Sequence, residues 1–389
     1  MRILHVVPTY LPATRYGGPI VAVHSLCRAL AARGHAVEVF TTSIDGPDDT
    51  AVPHDRPIVL DGVTVRYFAS RRLRRLAYAP ALMQSLRGEI AGADVVHLHS
   101  AFLWPTWRAA RLSHKRRIPY VVSPRGMVVK KLIASRHRLI KSAWIALIER
   151  ANLEQASAIH ATSAIEAAEI KKFGWRLPPI AVVPNGVDAI DETARRDAPS
   201  ADIAALAAHQ PLVLFFGRLA RVKGLDRLLR AFAGTRRGTL AIVGNDYEGL
   251  LPELSELVRY LKIDDRVRIV PRAISEADKQ SMYAAARVFV LPSYSESFGN
   301  VVLEAMQHGV PVIVTPEVGA ADVVKESGGG LVADGDAPSL GAAIDRLTED
   351  VAGSAAMGQA GRAHVRERYG WPSVAARMEA LYDDLQAAH

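Results

Sequence analysis

Short runs of Val, Ile and Leu alternate with longer helical patterns along this chain, and the whole alternation occurs twice. The first series is RILHVV, VEVFTT, VTVRYF, VVHLH, YVVSP, AIHAT and IAVVP, ending near Val187. The second is LVLFFG, TLAIVG, VRIV, VFVLPS, PVIVT and GLVAD. Runs that stay apolar at successive positions have both faces covered, which is the condition of a parallel strand between layers of helix. The polar, alanine-rich stretch DAIDETARRDAPSADIAA separates the two series and reads as a linker with a short helix. At 389 residues the chain also exceeds what one hydrophobic core organises. The expected fold is therefore α/β, with two doubly wound domains in tandem. They span residues 1–195 and 196–370, and the helix 371–389 is assigned to the first. Ligands of such sheets bind beyond the carboxyl ends of the strands, which points to a cleft between the two domains.

Charge is distributed unevenly. Residues 1–190 hold 26 Lys and Arg against 13 Asp and Glu, and the remainder 22 against 27, within totals of 48 and 40. The first half is thus expected to meet something anionic. No recognition motif or interleaving of basic and aromatic residues points to nucleic acid. The single cysteine, Cys27, excludes an internal disulfide and suits a reducing cytoplasm. It falls in an amphipathic pattern and reads as core. The opening MRILHVVPTYLP lacks the long apolar segment of a signal peptide, and no run approaches a membrane span.

One stretch carries more chemistry than the rest: SYSESFGNVVLEAMQHGVPVIVT, residues 293–315. Gly299 is a turn residue, and VVLEAMQHG is helical and ends at Gly309. Ser295 or Ser297 is placed to cap the helix. That leaves the amides of Phe298, Gly299, Asn300 and Val301 at a positive helix end suited to phosphate. Glu296 sits in the loop and Glu304 in the second turn. Eight residues of helical rise would part the two carboxylates by ~12 Å. Glycosidase pairs stand roughly 5 to 9.5 Å apart, so hydrolysis is a poor fit. Two separate points of hydroxyl recognition flanking a diphosphate suit them better, with Glu304 on a ribose diol and Glu296 on the sugar.

The pattern E-S-F-G-x-x-x-x-E-A-x-x-x-G-x-P-V resembles the Glu-x7-Glu signature of the retaining family-4 glycosyltransferases. YGGPIVAVHSLCRALAARGHAVEVFTT, DVVHLHS, SPRGM, VPNGVD and FFGRLARVKGLDRLLRAF precede it in the family's order. The resemblance implies the GT-B fold, two facing Rossmann-like domains, with the donor sugar nucleotide on the second and the acceptor on the first. It makes Arg218 and Lys223 the clamp on the donor pyrophosphate, a pair of cations that does the work of a metal. It also places the loop of Gly17 and Gly18 beside the donor, as it does Asn185, more weakly. No metal is expected. The Asp334–Asp336 pair, which could suggest one, reads as a turn and a helix cap before Ala-Pro-Ser-Leu.

His97 and His99 share one face of an apolar strand. They could form half a metal site, but no third ligand is evident, and core histidines are commoner than ligands. His99, at the strand's end, is the better catalytic candidate. Relatives carry Pro-His-Gly-Met where this chain has Pro124-Arg125-Gly126-Met127. Arg125 cannot act as a base near neutrality, and it is expected to hold a phosphate or carboxylate of the acceptor or donor. Lys130, Lys131, Arg136, Arg138 and Lys141, followed by Trp144, read as a basic amphipathic helix. With RRLRRLAY at 71–78 they point to an anionic membrane surface and a protein peripheral on its cytoplasmic face.

The function expected is retaining transfer of a hexosyl group from a UDP-sugar, or next a GDP-sugar, to a glycan or lipid-linked acceptor in surface polysaccharide or glycolipid synthesis. A sugar-nucleotide epimerase or hydrolase on the same fold is the first alternative, and a non-catalytic two-domain binding protein the second.

Overall fold

The computed structural model describes every residue except Thr14, Tyr16, Asp55, 130–143, 145–147, 191–196 and His389. The cationic part of the expected basic helix, from Lys130 to Lys141, therefore lies outside the described residues. The chain divides into two compact units, Met1–Gly186 with Trp371–His389, and Val187–Gly370. The division falls just after Asn185-Gly186, the turn signal in VPNGVD, and not at the expected 195/196.

In the first unit the strands are β1 (Arg2–Thr9), β2 (Ala36–Thr42), the small hairpin β3 (Ile44–Asp45) and β4 (Asp48–Asp49), and β5 (Ile58–Leu60). They continue with β6 (Val63–Phe68), β7 (Val95–His99), β8 (Tyr120–Ser123), β9 (Ala158–Ala161) and β10 (Ile180–Val182). Eight of them form a sheet in the order β10-β9-β8-β7-β1-β2-β6-β5. All its pairs are parallel except β5 with β6. β1, β7, β8 and β9 are almost wholly buried, as runs with two covered faces require. β5 is short and half-exposed, so it shows no continuous apolar run in the sequence.

The last helix, Trp371–Ala387, packs its Trp371, Val374, Ala375, Met378 and Tyr382 into the same core as Ile3, Leu26 and Val121. Gly186 seats it, because a Cβ there would stand 2.7 Å from the Trp371 ring. Burial of these side chains contributes roughly 1.5–3 kcal/mol for each large one, enough to hold a helix far away in sequence.

The second unit has β11 (Leu212–Phe216), β12 (Thr239–Val243), β13 (Val267–Val270), β14 (Ala286–Leu291), β15 (Val312–Val314) and β16 (Gly330–Val332). They form one parallel sheet in the order β13-β12-β11-β14-β15-β16. Strand order reverses between β11 and β14 here, and between β1 and β7 in the first unit. At such a switch point neighbouring loops leave in opposite directions and open a crevice at the carboxyl ends. Arg218 follows β11 and Glu296 follows β14, so the fold itself brings the two motifs of the second unit to one crevice.

Candidate active site

In the second unit the site is built from the loops after β11, β12 and β14. After Gly217 the amide of Leu219 donates to the Asn245 carbonyl at 2.8 Å. This ties the loops after β11 and β12 together and sets the Arg218 guanidinium 4.7 Å from the centre of the Tyr247 ring. A cation held over an aromatic face keeps its charge while losing freedom. The chain then makes a 3-10 turn, Arg221–Lys223, closed by Gly224 at φ +67°. A Cβ on Gly224 would lie 2.1 Å from the Pro292 carbonyl oxygen, so only glycine lets this turn meet the end of β14. The contact is sealed by the Tyr294 amide donating to Val222 at 2.8 Å.

The result is a direct ion pair between the Lys223 ammonium and the Glu296 carboxylate, both largely buried. The Glu296 backbone is pinned on each side, its amide to the Glu317 carbonyl at 3.1 Å and its carbonyl to the Gly319 amide at 2.9 Å. Arg227 adds a third cation, 3.6 Å from the Tyr294 ring centre and 3.8 Å from Glu317 Oε1. Arg227 is absent from the expected site, and its place four residues after Lys223 on an amphipathic helix is the signal that the sequence offers for it.

The helix of the glutamate motif runs Asn300–Gln307 and begins from Gly299 at φ +95° with no side chain capping it. The expected serine cap is therefore corrected. Left-handed backbone at Gly299 starts the helix two residues after Ser297, and Phe298 turns into the core, 3 % exposed. The continuous helical rise assumed between the two glutamates is corrected too. The helix starts only at Asn300, and Glu296 instead bridges to Val318. At the other end Gly309 is left-handed, φ +75°, as a helix stop requires.

Glu304 meets Lys279 Nζ at 2.5 Å and accepts from the Tyr283 hydroxyl at 3.1 Å. Burial pulls the Lys279 pKa down, but the Glu304 carboxylate outweighs it and the pKa is raised. Neither Lys279 nor Tyr283 was singled out from sequence, because they lie on a different helix, Glu276–Ala285. Asp336 caps the helix Ala337–Glu349, accepting from the Ser339 amide and hydroxyl, each at 2.9 Å. Half of the Asp-x-Asp pair is thereby committed to a structural bond.

In the first unit the helix Gly18–Ala32 starts from Gly17, φ +74°, and its first turn lacks a capping side chain. Cys27 is fully buried in that helix and its thiol is pushed up to about 12 by burial, which suits packing and not nucleophilic attack.

The larger feature is a set of four fully buried histidines. Register pairs His5 of β1 with His97 of β7, and His99 and His160 lie beside them. The proton positions follow from the chain's end. His160 Nε2 lies 2.8 Å from the Val183 carbonyl, which can only accept, so it donates. His160 Nδ1 then accepts from Ser123 Oγ at 2.6 Å, and Ser123 accepts from His97 Nε2 at 2.6 Å. His97 Nδ1 accepts from the Tyr382 hydroxyl at 2.6 Å.

A second branch starts at Arg125, a pure donor, which approaches His99 Nδ1 at 3.5 Å. That leaves the His99 proton on Nε2, donating to His5 Nδ1 at 2.9 Å, and the His5 proton on Nε2, buried without a partner among the described residues. With each imidazole already assigned one donor and one acceptor, a second proton has nowhere to bond. Burial and then the Arg125 charge hold His5 and His160 at about 3, and burial and neighbouring charges hold His97 and His99 well below their ordinary value.

Two expectations change here. A third histidine does exist beside His97 and His99: nitrogens of His5, His97 and His99 lie within 4.8 Å of one another. As arranged they are a hydrogen-bonded chain and not a chelate, because both His97 nitrogens are taken and a guanidinium stands beside His99. His99 itself is 1 % exposed, with both nitrogens engaged, so it is placed to position Arg125 and not to exchange protons with a substrate. Within the first unit Asn185 Oδ1 accepts from Arg125 Nη1 at 2.7 Å and so orients that guanidinium.

The family described as "Glycosyltransferase Family 4" matches residues 16–190, and that described as "Glycosyl transferases group 1" matches residues 210–350. The chain is 31 % identical to a D-inositol 3-phosphate glycosyltransferase of Kineococcus radiotolerans, over 97 % of this chain and 93 % of that protein. It is likewise 31 % identical to the enzyme of that name from Nocardiopsis dassonvillei, over 95 % and 90 %. Among solved structures it is similar to a sucrose-phosphate synthase from Thermosynechococcus elongatus, with TM-score 0.78, 26 % identity and full coverage of both chains. Its fold is also that of Anabaena HepE, solved with UDP and glucose, with TM-score 0.75, 20 % identity and coverage of 99 % and 100 %.

Proposed function

We propose a donor, an acceptor side and a stereochemical course for this chain, which belongs to the family-4 glycosyltransferases and so transfers a sugar from a nucleotide sugar. The donor is a UDP-sugar, gripped by the second unit. Arg218 and Lys223 hold its pyrophosphate with the helix start at Asn300, Glu304 reads the ribose diol, and Glu296 steadies the sugar. The observation that carries this reading is the Lys223–Glu296 pair. It joins a cation and a carboxylate at one point of the switch-point crevice, which supports a clamp and a sugar contact side by side, each with a partner to exchange for a ligand.

Two fixed cations can neutralise the charge that grows on a departing diphosphate, so the reaction needs no divalent ion. The C1–O bond to the diphosphate breaks and the acceptor oxygen bonds C1 on the same face. The acceptor proton passes to the leaving phosphate oxygen, and configuration is retained. The first unit holds the acceptor, and Arg125 and Asn185 lie on that side; a polysaccharide or glycolipid precursor fits the family habit. D-Inositol 3-phosphate, the acceptor in the relatives' name, makes a phosphorylated cyclitol the other acceptor to try.

A thermal-shift panel of sugar nucleotides tests the donor, followed by acceptor-dependent release of nucleoside diphosphate with and without EDTA. UDP-sugars are expected to stabilise most, and release is expected to require acceptor and to survive chelation with an axial, retained product linkage by NMR. Donor turnover without acceptor would favour the hydrolase, and manganese-rescued activity would remove the cationic clamp.

Among the described residues no helix is long and apolar enough to cross a membrane. Arg71, Arg72 and Arg75 are exposed beside Leu73, 66 % exposed, and we propose that they dock the first unit on anionic lipid. Replacing the three arginines by glutamine is expected to cut co-sedimentation with phosphatidylglycerol vesicles severalfold; unchanged pelleting would refute this.

A further inference from the structure

We infer that Arg125 is the receptor for an oxyanion carried by the acceptor, so the acceptor bears a phosphate or a carboxylate. This deepens the transferase reading and rests on it only in assigning the anion to that substrate.

Arg125 lies in the loop that follows β8, whose residues 125–127 are partly exposed while the guanidinium is turned inward. Its bonds go to neutral groups, Asn185 Oδ1 at 2.7 Å and His99 Nδ1 at 3.5 Å, and its Nε is buried without a partner among the described residues. No carboxylate among the described residues is in ion-pair contact with it. Glu166, the nearby acid, gives its oxygens to the Gly126 amide at 2.6 Å and to the Thr162 amide and hydroxyl at 2.7 and 2.6 Å. The histidines cannot supply a counter-charge, since an imidazole is neutral or cationic and never anionic. The Glu166 charge acts on Arg125 only through space and does not outweigh burial, which lowers the guanidinium pKa, so a cation with neutral direct partners is costly to bury unless an anion arrives to complete it. Backbone strain gathers at the same end of the sheet: Arg125 has φ +54°, and Ser100 and Phe102, after β7, have +75° and +60°. A planar fork held from behind by Asn185 and His99 offers its remaining N–H groups to two oxygens at once, which phosphate and carboxylate both present.

The test uses the full chain and Arg125→Gln, titrated calorimetrically with inorganic phosphate and with acetate, alone and with UDP saturating. We expect wild type to bind one of the anions with UDP in place and Arg125→Gln to bind it at least tenfold more weakly, with UDP affinity within twofold. Phosphate binding alone names a phosphorylated acceptor; acetate binding names a carboxylated one. Arg125→Lys should retain measurable binding. Removing an uncompensated buried charge should also leave the Tm of Arg125→Gln equal to or above wild type. Equal anion affinity in wild type and Arg125→Gln, no anion binding by wild type, or a lowered Tm overturns the proposal. A tenfold loss of UDP affinity in Arg125→Gln overturns the acceptor assignment in favour of the donor diphosphate. If wild type ignores UDP altogether, the donor reading fails, while the anion titrations without UDP still decide the role of Arg125.

Discussion

Lys223→Ala is expected to lower kcat by more than tenfold, and by about 100- to 1,000-fold if the ammonium is worth what a charge-stabilising donor usually is, roughly 2.7–4 kcal/mol. The resting structure has the lysine occupied by Glu296, so two roles must be separated. If Lys223 serves only to neutralise Glu296, the damage in Lys223→Ala comes from an unpaired, largely buried carboxylate. Glu296→Gln would then remove the need for it, and the double variant would recover to the level of Glu296→Gln alone. If Lys223 instead moves onto the diphosphate as it departs, the loss persists in the double variant, because the missing charge is the leaving group's partner. The clamp predicts persistence, measured as a double-mutant cycle on kcat with saturating donor. KM for the donor should rise less than kcat falls, since charge on the bridging oxygen grows on the way to the transition state. Circular dichroism of the variant should be unchanged: the loops around Lys223 are held by the Tyr294–Val222 and Leu219–Asn245 backbone bonds, which do not involve its side chain. Near-normal turnover with an intact fold would sink the clamp.

What sequence reveals about this molecule follows from the range of the interactions. The parallel strands were legible because each announces its own burial: VVHLH and LVLFF are apolar on both faces whatever their neighbours are. β5 and the β3–β4 hairpin were not, being short and partly exposed. The glutamate motif was legible as a loop and helix because Gly299 and Gly309 punctuate it, but the capping residue was misjudged, since serine and glycine both start helices and only the backbone angle decides. The histidine network was invisible for a different reason. A single imidazole in RILHVV looks like a core residue, and its meeting with His97 depends on the register between strands about ninety residues apart. Likewise Lys223 and Glu296 could each be suspected, but their contact depends on Gly224 meeting Pro292. Functional types were read where a motif is contiguous; their partners, coming from other strands, were not.

The same network predicts that the first unit is acid-labile well before its carboxylates are exhausted. An imidazole in the unfolded chain titrates near its ordinary value of about 6.5. In the fold His5 and His160 titrate at about 3, and His97 and His99 well below 6.5, with burial as the leading cause in all four. Between those values the unfolded chain takes up protons that the folded chain refuses. Stability is therefore complete above pH 6.5 and falls as pH drops toward 3. Each such histidine approaches a slope of ~1.4 kcal/mol per pH unit, so four together approach ~5, against a total stability of roughly 5–15 kcal/mol for a typical protein. Unfolding of the first unit near pH 5 is the expected result. All five tryptophans, Trp104, Trp107, Trp144, Trp175 and Trp371, lie in that unit, so their fluorescence reports on it alone. Urea titrations followed by tryptophan emission should show the midpoint collapsing between pH 6.5 and 5. In His5→Asn, which removes one titrating ring, the slope should drop by ~1.4 kcal/mol per unit. A midpoint that stays level across that range would mean the imidazoles accept protons in the fold. The one-way chain from Tyr382 to Val183 would then be wrong.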